Sequence, residues 1–164
     1  MDTMDALDLL ENAPINKPLE DGDYEGRVAG TREFNTKSKK DDQPLKYLII
    51  DYEVLKGPKQ GGKYDCEGQI ETRWMLFPEV RWFDTDEELK KDVSRWKTEV
   101  ADHGLDPERI RGPFAQWIGD LVGLSIRFKK KTSPGKNGKN NVYYTVRPST
   151  LDSGVSNSPN NPPF

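Results

Sequence analysis

The stretch LKYLIIDYEVLKG, Leu45 to Gly57, decides the fold class. Leu48, Ile50, Tyr52 and Val54 alternate with Tyr47, Ile49, Asp51 and Glu53, the period-two pattern of a strand with one face in a core and one toward water. Working backwards, GDYEGRVAGTREF (Gly22–Phe34) puts Tyr24 and Val28 on one parity and carries Gly22, Gly26 and Gly30, which predicts a first strand that bends or coils tightly. NTKSKKDDQP (Asn35–Pro44) is a loop by composition. Forwards, Lys63 to Phe77 reads as a third strand, with its inward parity left open between Ile70, Thr72, Trp74 and Leu76 on one side and Met75 and Phe77 on the other.

DTDEELKKDVSRWKTEVADHG (Asp84–Gly104) is a helix. It has Asp84 or Thr85 as N-cap, acids in the first turn, Leu89, Val93, Trp96 and Val100 on one face, and Gly104 at the stop. A short turn at Pro107 and another in PFAQWIGD precede LVGLSIRFKKK, where Val122, Leu124, Ile126 and Phe128 face inward. TSPGKNGKN reverses the chain. NVYYTVRP then closes a fifth strand, with Val142, Tyr144 and Val146 inward and Tyr143, Thr145 and Arg147 outward. Strands one to three, a helix, then strands four and five is the order of an OB-fold, a small, partly open five-stranded barrel, here with a helical insertion between strands three and four.

Length and composition add bounds. At 164 residues the chain suits one domain plus tails, and 33% hydrophobic against 32% charged residues leaves a small core. Residues 1–18 form an acidic arm with Met4, Leu7 and Leu10 at helical spacing, 19–148 the OB-fold domain, and 149–164 a Ser, Asn and Pro rich tail whose composition predicts disorder. The single Cys66 and single His103 cannot make a disulfide or a zinc cage, no apolar run is long enough to span a membrane, and the acidic N-terminus is unlike a secretory signal. The expected compartment is the cytoplasm.

Charge is segregated. Leu121 to Leu151 holds seven Lys or Arg and no acid, so within a net charge of −3 the rest of the chain sums to −10. An OB-fold grips oligonucleotides between the loops joining strands one to two and four to five. Those loops carry Lys37, Lys39 and Lys40, and Lys131, Lys136 and Lys139. The outward parity of strands four and five adds Arg127, Lys129, Tyr143 and Arg147, strand three adds Arg73, and Tyr47 and Trp74 supply rings. Single-strand binders need both kinds of group, cations for phosphates and flat rings for bases. The bland alternative is a solvated hairpin on an ordinary exposed face.

GDYEGRV, LKYLIIDYEVLKGPKQGGKY and the helix before LVGLSIRFKKK together resemble phage-encoded single-stranded DNA-binding proteins with an OB-fold, over roughly Pro18 to Pro148. The resemblance implies single-stranded DNA as partner, a role in replication or recombination, and an infected host cell as the setting. The closing NNPPF is similar to the tip of bacterial single-stranded DNA-binding proteins, which implies docking of host or phage replication and recombination proteins through Pro163 and Phe164. Asn160 and Asn161 stand where that tip carries acids.

No enzyme site assembles. Glu88-Leu89-Lys90 matches part of a nuclease signature but sits in the first turns of the helix, where acids meet the macrodipole, and Asp84, Asp86 and Glu87 are explained the same way. GxxxxGK[ST] and GxGxxG are absent, so neither a nucleotide cofactor nor a metal is expected. Two rivals remain: a protein-interaction accessory module using the same face, and a metal-dependent nuclease. An exposed strand edge would also let copies of the chain pair.

Overall fold

The computed structural model describes residues 18–149. Apart from Pro18 and Ser149, the expected acidic arm and the tail, with Pro163 and Phe164, lie outside the described residues.

Five antiparallel strands form one sheet, β1 (Gly22–Lys37), β2 (Pro44–Lys56), β3 (Ile70–Leu76), β4 (Ser125–Pro134) and β5 (Asn140–Pro148), in the order β3-β2-β1-β4-β5. Between β3 and β4 lie α1 (Asp86–Ala101) and the single-turn α2 (Phe114–Trp117). The fold is mainly β, as the alternation in β2 predicts. Among the described residues no helix is long and apolar enough to cross a membrane.

β1 organises the sheet. Its first residues, Gly22 to Arg27, pair with β4 from Lys130 back to Ser125, while Glu25 to Lys37 pair with β2. Two register shifts against β2, at Glu25/Gly26 and Val28/Gly30, bend it between these partners, as its glycines predict. Gly26 is required by closeness, since a Cβ there would lie 2.6 Å from the carbonyl oxygen of Glu53. The bend lets inward side chains of β2, β1 and β4 meet: Tyr24 stacks on Phe128 at 5.1 Å between centroids, and Phe128 on Tyr52 at 5.0 Å. Leu48, Ile50, Ile126 and Val146 fill the same core.

α1 begins where its sequence says it should, the Thr85 hydroxyl accepting from the backbone N–H of Glu88 at 3.2 Å. Only its C-terminal half is buried, through Trp96 and Val100; Val93 stays exposed. Trp96 stacks on Phe77 at 4.6 Å, and Phe114 of α2 meets Phe77 and Trp117 edge-on, an aromatic cluster that seats both helices beside the sheet.

The sheet does not close into the expected partly open barrel. β3 and β5 are the two edges of an open sheet with no ladder between them. Backbone pairing needs strands about 4.8 Å apart, and here side chains occupy the space instead. The Tyr144 hydroxyl donates to Glu71 at 3.1 Å, and the Arg73 guanidinium lies over the Tyr144 ring at 5.9 Å.

Several boundaries also differ from expectation. The strand expected over Lys63 to Phe77 is confined to Ile70–Leu76, because the preceding segment folds back on itself in a Gln60–Tyr64 bridge and turns at Gly68, which has a φ of 83°. Cys66 is therefore buried in an irregular connection and is not a strand residue. The first loop shortens to Ser38–Gln43; Lys37 is the last residue of β1, and Lys131 lies within β4. Val122 precedes β4 and is exposed.

Candidate nucleic-acid interface

β3 resolves the parity that its sequence leaves open. Glu71, Arg73 and Met75 turn inward and are buried, while Trp74 and Leu76 turn out. On the outer face of β1, β2 and β3, register aligns Phe34 with Tyr47 and Leu76, and Arg32 with Ile49 and Trp74. Trp74 meets the rings of Phe34 and Tyr47 edge-on, each at 5.5 Å between centroids. Trp74 is 52% exposed and Phe34 44%, so this three-ring cluster lies on the surface of the sheet. Large apolar rings grouped on an exposed face mark a contact surface more often than an accident of folding. Phe34 and Arg32 are absent from the expected site. Their place beside Tyr47 and Trp74 becomes visible only through the shifted β1–β2 register.

At one end of this face the β1–β2 turn is held by the Ser38 N–H donating to Gln43 at 2.8 Å and the Asp42 N–H to Ser38 at 2.9 Å. Arg81 ties the turn down, donating to the Pro44 carbonyl at 3.0 Å and pairing with Asp41 at 3.5 Å. Hydrogen bonds, chiefly from the Gln43 N–H, hold the Asp41 carboxyl below its ordinary range. Of the turn's two acids Asp41 is thus engaged, while Asp42, like Lys37, Lys39 and Lys40, forms no ion pair with any described residue.

The β4–β5 hairpin carries the second group. Lys131 stands opposite Tyr143 in the ladder, and Lys136 and Lys139 sit on the turn, which closes through the Gly135 N–H and the Lys139 carbonyl at 2.8 Å. The hairpin contains no acid, and these three lysines also make no ion pair among the described residues. Asp21 reaches its side, accepting from the backbone N–H and hydroxyl of Thr132 at 2.8 and 2.6 Å; those bonds, above all the hydroxyl's, lower the Asp21 pKa.

The remaining expected cations are placed differently. Arg127 binds Glu25 at 2.5 Å, Arg147 lies 4.0 Å from Asp102, and Lys129 stands opposite Asp23 in the ladder. Asp23 and Glu25 at the start of β1 thus stand beside the outward row of β4, while the expected lysines of the two turns make no ion pair among the described residues. Arg73 is a correction. It is 8% exposed on the inner face, where it donates to the Tyr52 hydroxyl at 3.4 Å and lies 3.6 Å from Glu99. It does not reach the exposed ring cluster.

Because β3 and β5 do not pair, a cleft of about 510 Å³ opens between them and α1. Trp74 lines one wall and Tyr143, 55% exposed, the other, with Arg95 and Glu99 of α1 between. Trp74 thus belongs both to the ring cluster and, with Tyr143 of the β4–β5 hairpin, to the lining of the cleft.

Catalytic alternatives find little here. Glu88 lies in the first turn of α1. His103 is buried, its Nδ1 donating to the Glu99 and Val100 carbonyls and its Nε2 accepting from Tyr52 at 2.7 Å. Burial pushes the Cys66 thiol up, away from the reactive thiolate. Among the described residues no three His, Cys, Asp or Glu side chains are grouped to hold a metal. No protein-family model matches the chain, and a search of curated proteins returns no match.

Proposed function

We propose that the chain binds single-stranded DNA without requiring a sequence, on an open variant of the OB-fold, and serves phage DNA replication or recombination. The observation that carries this reading is the exposed Phe34–Tyr47–Trp74 cluster flanked by two lysine-bearing turns. The strand order and the helix between β3 and β4 support the fold reading. The phage setting, and docking of replication proteins through Pro163 and Phe164, rest on the sequence resemblance alone.

Binding proceeds by capture and stacking. Lys37, Lys39, Lys40, Lys131, Lys136 and Lys139 attract the phosphate backbone, and unpaired bases then stack on the rings, each worth about 1–3 kcal/mol. A duplex keeps its base faces stacked internally and offers the rings nothing, so the surface discriminates by strandedness. No bond is made or broken, and no cofactor or metal takes part.

The test is a tryptophan-fluorescence titration with poly-dT, poly-rU and duplex DNA at two salt concentrations. Single strands should quench the signal and bind far more tightly than duplex, with log K falling by about 0.7 per phosphate neutralised for each decade of salt. Equal affinity for duplex, or none for any strand, overturns the reading. The unpaired edges of β3 and β5 favour the rival of a protein-binding module; that rival predicts no quenching by any nucleic acid.

A further inference from the structure

We infer that the cleft between β3, α1 and β5 takes one base of the bound strand and reads its edge, preferring guanine; the inference rests on the single-strand reading above and adds a base preference to it. The walls bear rings from two strands that share no ladder, Trp74 and Tyr143, both more than half exposed. Such walls accept any base, because every base has a π-face. Selectivity comes from the α1 side.

There Glu99 is gripped from two directions. Its Oε1 accepts from Arg95 Nη1 at 3.2 Å, and its Oε2 lies 3.6 Å from Arg73 Nη2. Arg95 is itself oriented by Asp92, 2.7 Å from its other terminal nitrogen. The carboxylate remains 35% exposed and the Arg95 side chain 62%. A carboxylate has about four lone-pair sites, so two protein contacts leave it able to accept more. The cleft therefore presents a fixed carboxylate beside a guanidinium, with both still reachable.

The pairing edges of the four bases meet this array unequally. Guanine offers an acceptor, O6, followed by two donors, N1–H and the N2 amino group. These complement a guanidinium next to a carboxylate, which can take both N–H bonds. Adenine and cytosine each offer the carboxylate one amino group. Thymine sets a carbonyl on either side of its single N–H and so turns oxygen toward oxygen. Once the bound strand covers the cleft, a base that leaves the carboxylate or the guanidinium unpaired binds more weakly. In a duplex this edge is already paired, which agrees with selection for single strands.

The test uses the full chain and fluorescence anisotropy with labelled oligothymidylate, and with the same strand carrying one central dG, dA, dC or deoxyinosine. A single dG should tighten binding about tenfold over the all-thymidine strand. Deoxyinosine, which lacks the N2 amino group, should fall between them, and dA should fall below dG although it stacks as a purine. In Glu99→Gln the ratio of dG to dT affinity should drop to within about twofold. Equal affinities across the strands, dA matching dG, inosine matching dG, or a dG preference that survives Glu99→Gln each overturn the edge reading while leaving single-strand binding standing. Failure to bind any strand overturns both. The base comparison on the unmodified chain stands whether or not the variant folds.

Discussion

The Nζ of Lys130 lies 2.8 Å from Oε2 of Glu71, although two strands separate β4 from β3 in the sheet. Both residues are less than a tenth exposed. Tyr144 of β5 donates to the same Glu71 oxygen at 3.1 Å, and burial, reinforced by that carboxylate, holds the Tyr144 phenol well above its ordinary pKa. One carboxylate thus joins three strands through side chains where a closed barrel would use backbone.

Removing it should be costly. Glu71→Ala leaves the Lys130 ammonium buried without a partner, and urea denaturation should show a loss of about 3–5 kcal/mol. Replacing both Glu71 and Lys130 by Met should restore most of it, since a well-packed apolar pair avoids the desolvation of both charges. A double variant no better than Glu71→Ala would show that apolar packing cannot stand in for the ion pair.

His103 makes stability depend on pH. Burial, helped by the Arg73 charge, pushes its pKa down from 6.5 to about 4. The unfolded chain takes up the proton near 6.5 and the native chain resists it, so stability is complete above that pH and declines as pH falls toward 4, by about 3 kcal/mol for this residue. Protonating Nε2 would turn it from acceptor to donor against Tyr52, beside Arg73. His103→Gln should be less stable at neutral pH yet lose less between pH 6.5 and 4.5 in parallel urea titrations. Equal losses in both chains would place the titration elsewhere.

The ring cluster separates binding from folding. Trp74→Ala should weaken single-strand binding by about 1–3 kcal/mol and barely shift the melting temperature, because Trp74 is half exposed. Tyr143→Ala should do the same from the other side of the cleft, whereas Tyr144→Ala should chiefly destabilise. Phe34→Ala provides the sharpest check, because only the folded register places it beside Trp74.

Charge at the hairpin should set the salt response. Exchanging Lys131, Lys136 and Lys139 for Glu should weaken single-strand binding and lower the slope of log K against log salt by about 2, three phosphate contacts at 0.7 each. A folded variant that keeps the original slope would move the phosphate track off this hairpin.

What could be read in one dimension was whatever depends on near neighbours. The alternation of Leu48 to Val54, the Thr85 cap, and the opposite orientations of Tyr143 and Tyr144 follow from periods of two and 3.6 residues. β3 was not legible because its outward side carries Ile70, Trp74 and Leu76 and its inward side two charges, reversing the usual pattern. Glu71 and Arg73 can face inward because Lys130 and Glu99 meet them there, and partners 59 and 26 positions away leave no local trace. Phe34 was missed for a related reason: two bulges lie between it and the well-patterned start of its strand.

β1 is flanked by both β2 and β4 from Glu25 to Arg27, and Val28 extends the two-sided stretch through its backbone bonds to Gly123 and Leu124. β3 is bonded on one side along its whole length. Exchange of backbone amide hydrogens for deuterium should register the difference. Along β3 protection should alternate, slow at residues whose N–H points to β2 and fast at those between, whereas Glu25, Gly26 and Arg27 should all be slow. The span of consecutive slow amides would mark the length over which the sheet holds on both flanks, and the two-residue rhythm would mark the seam at which it stays open.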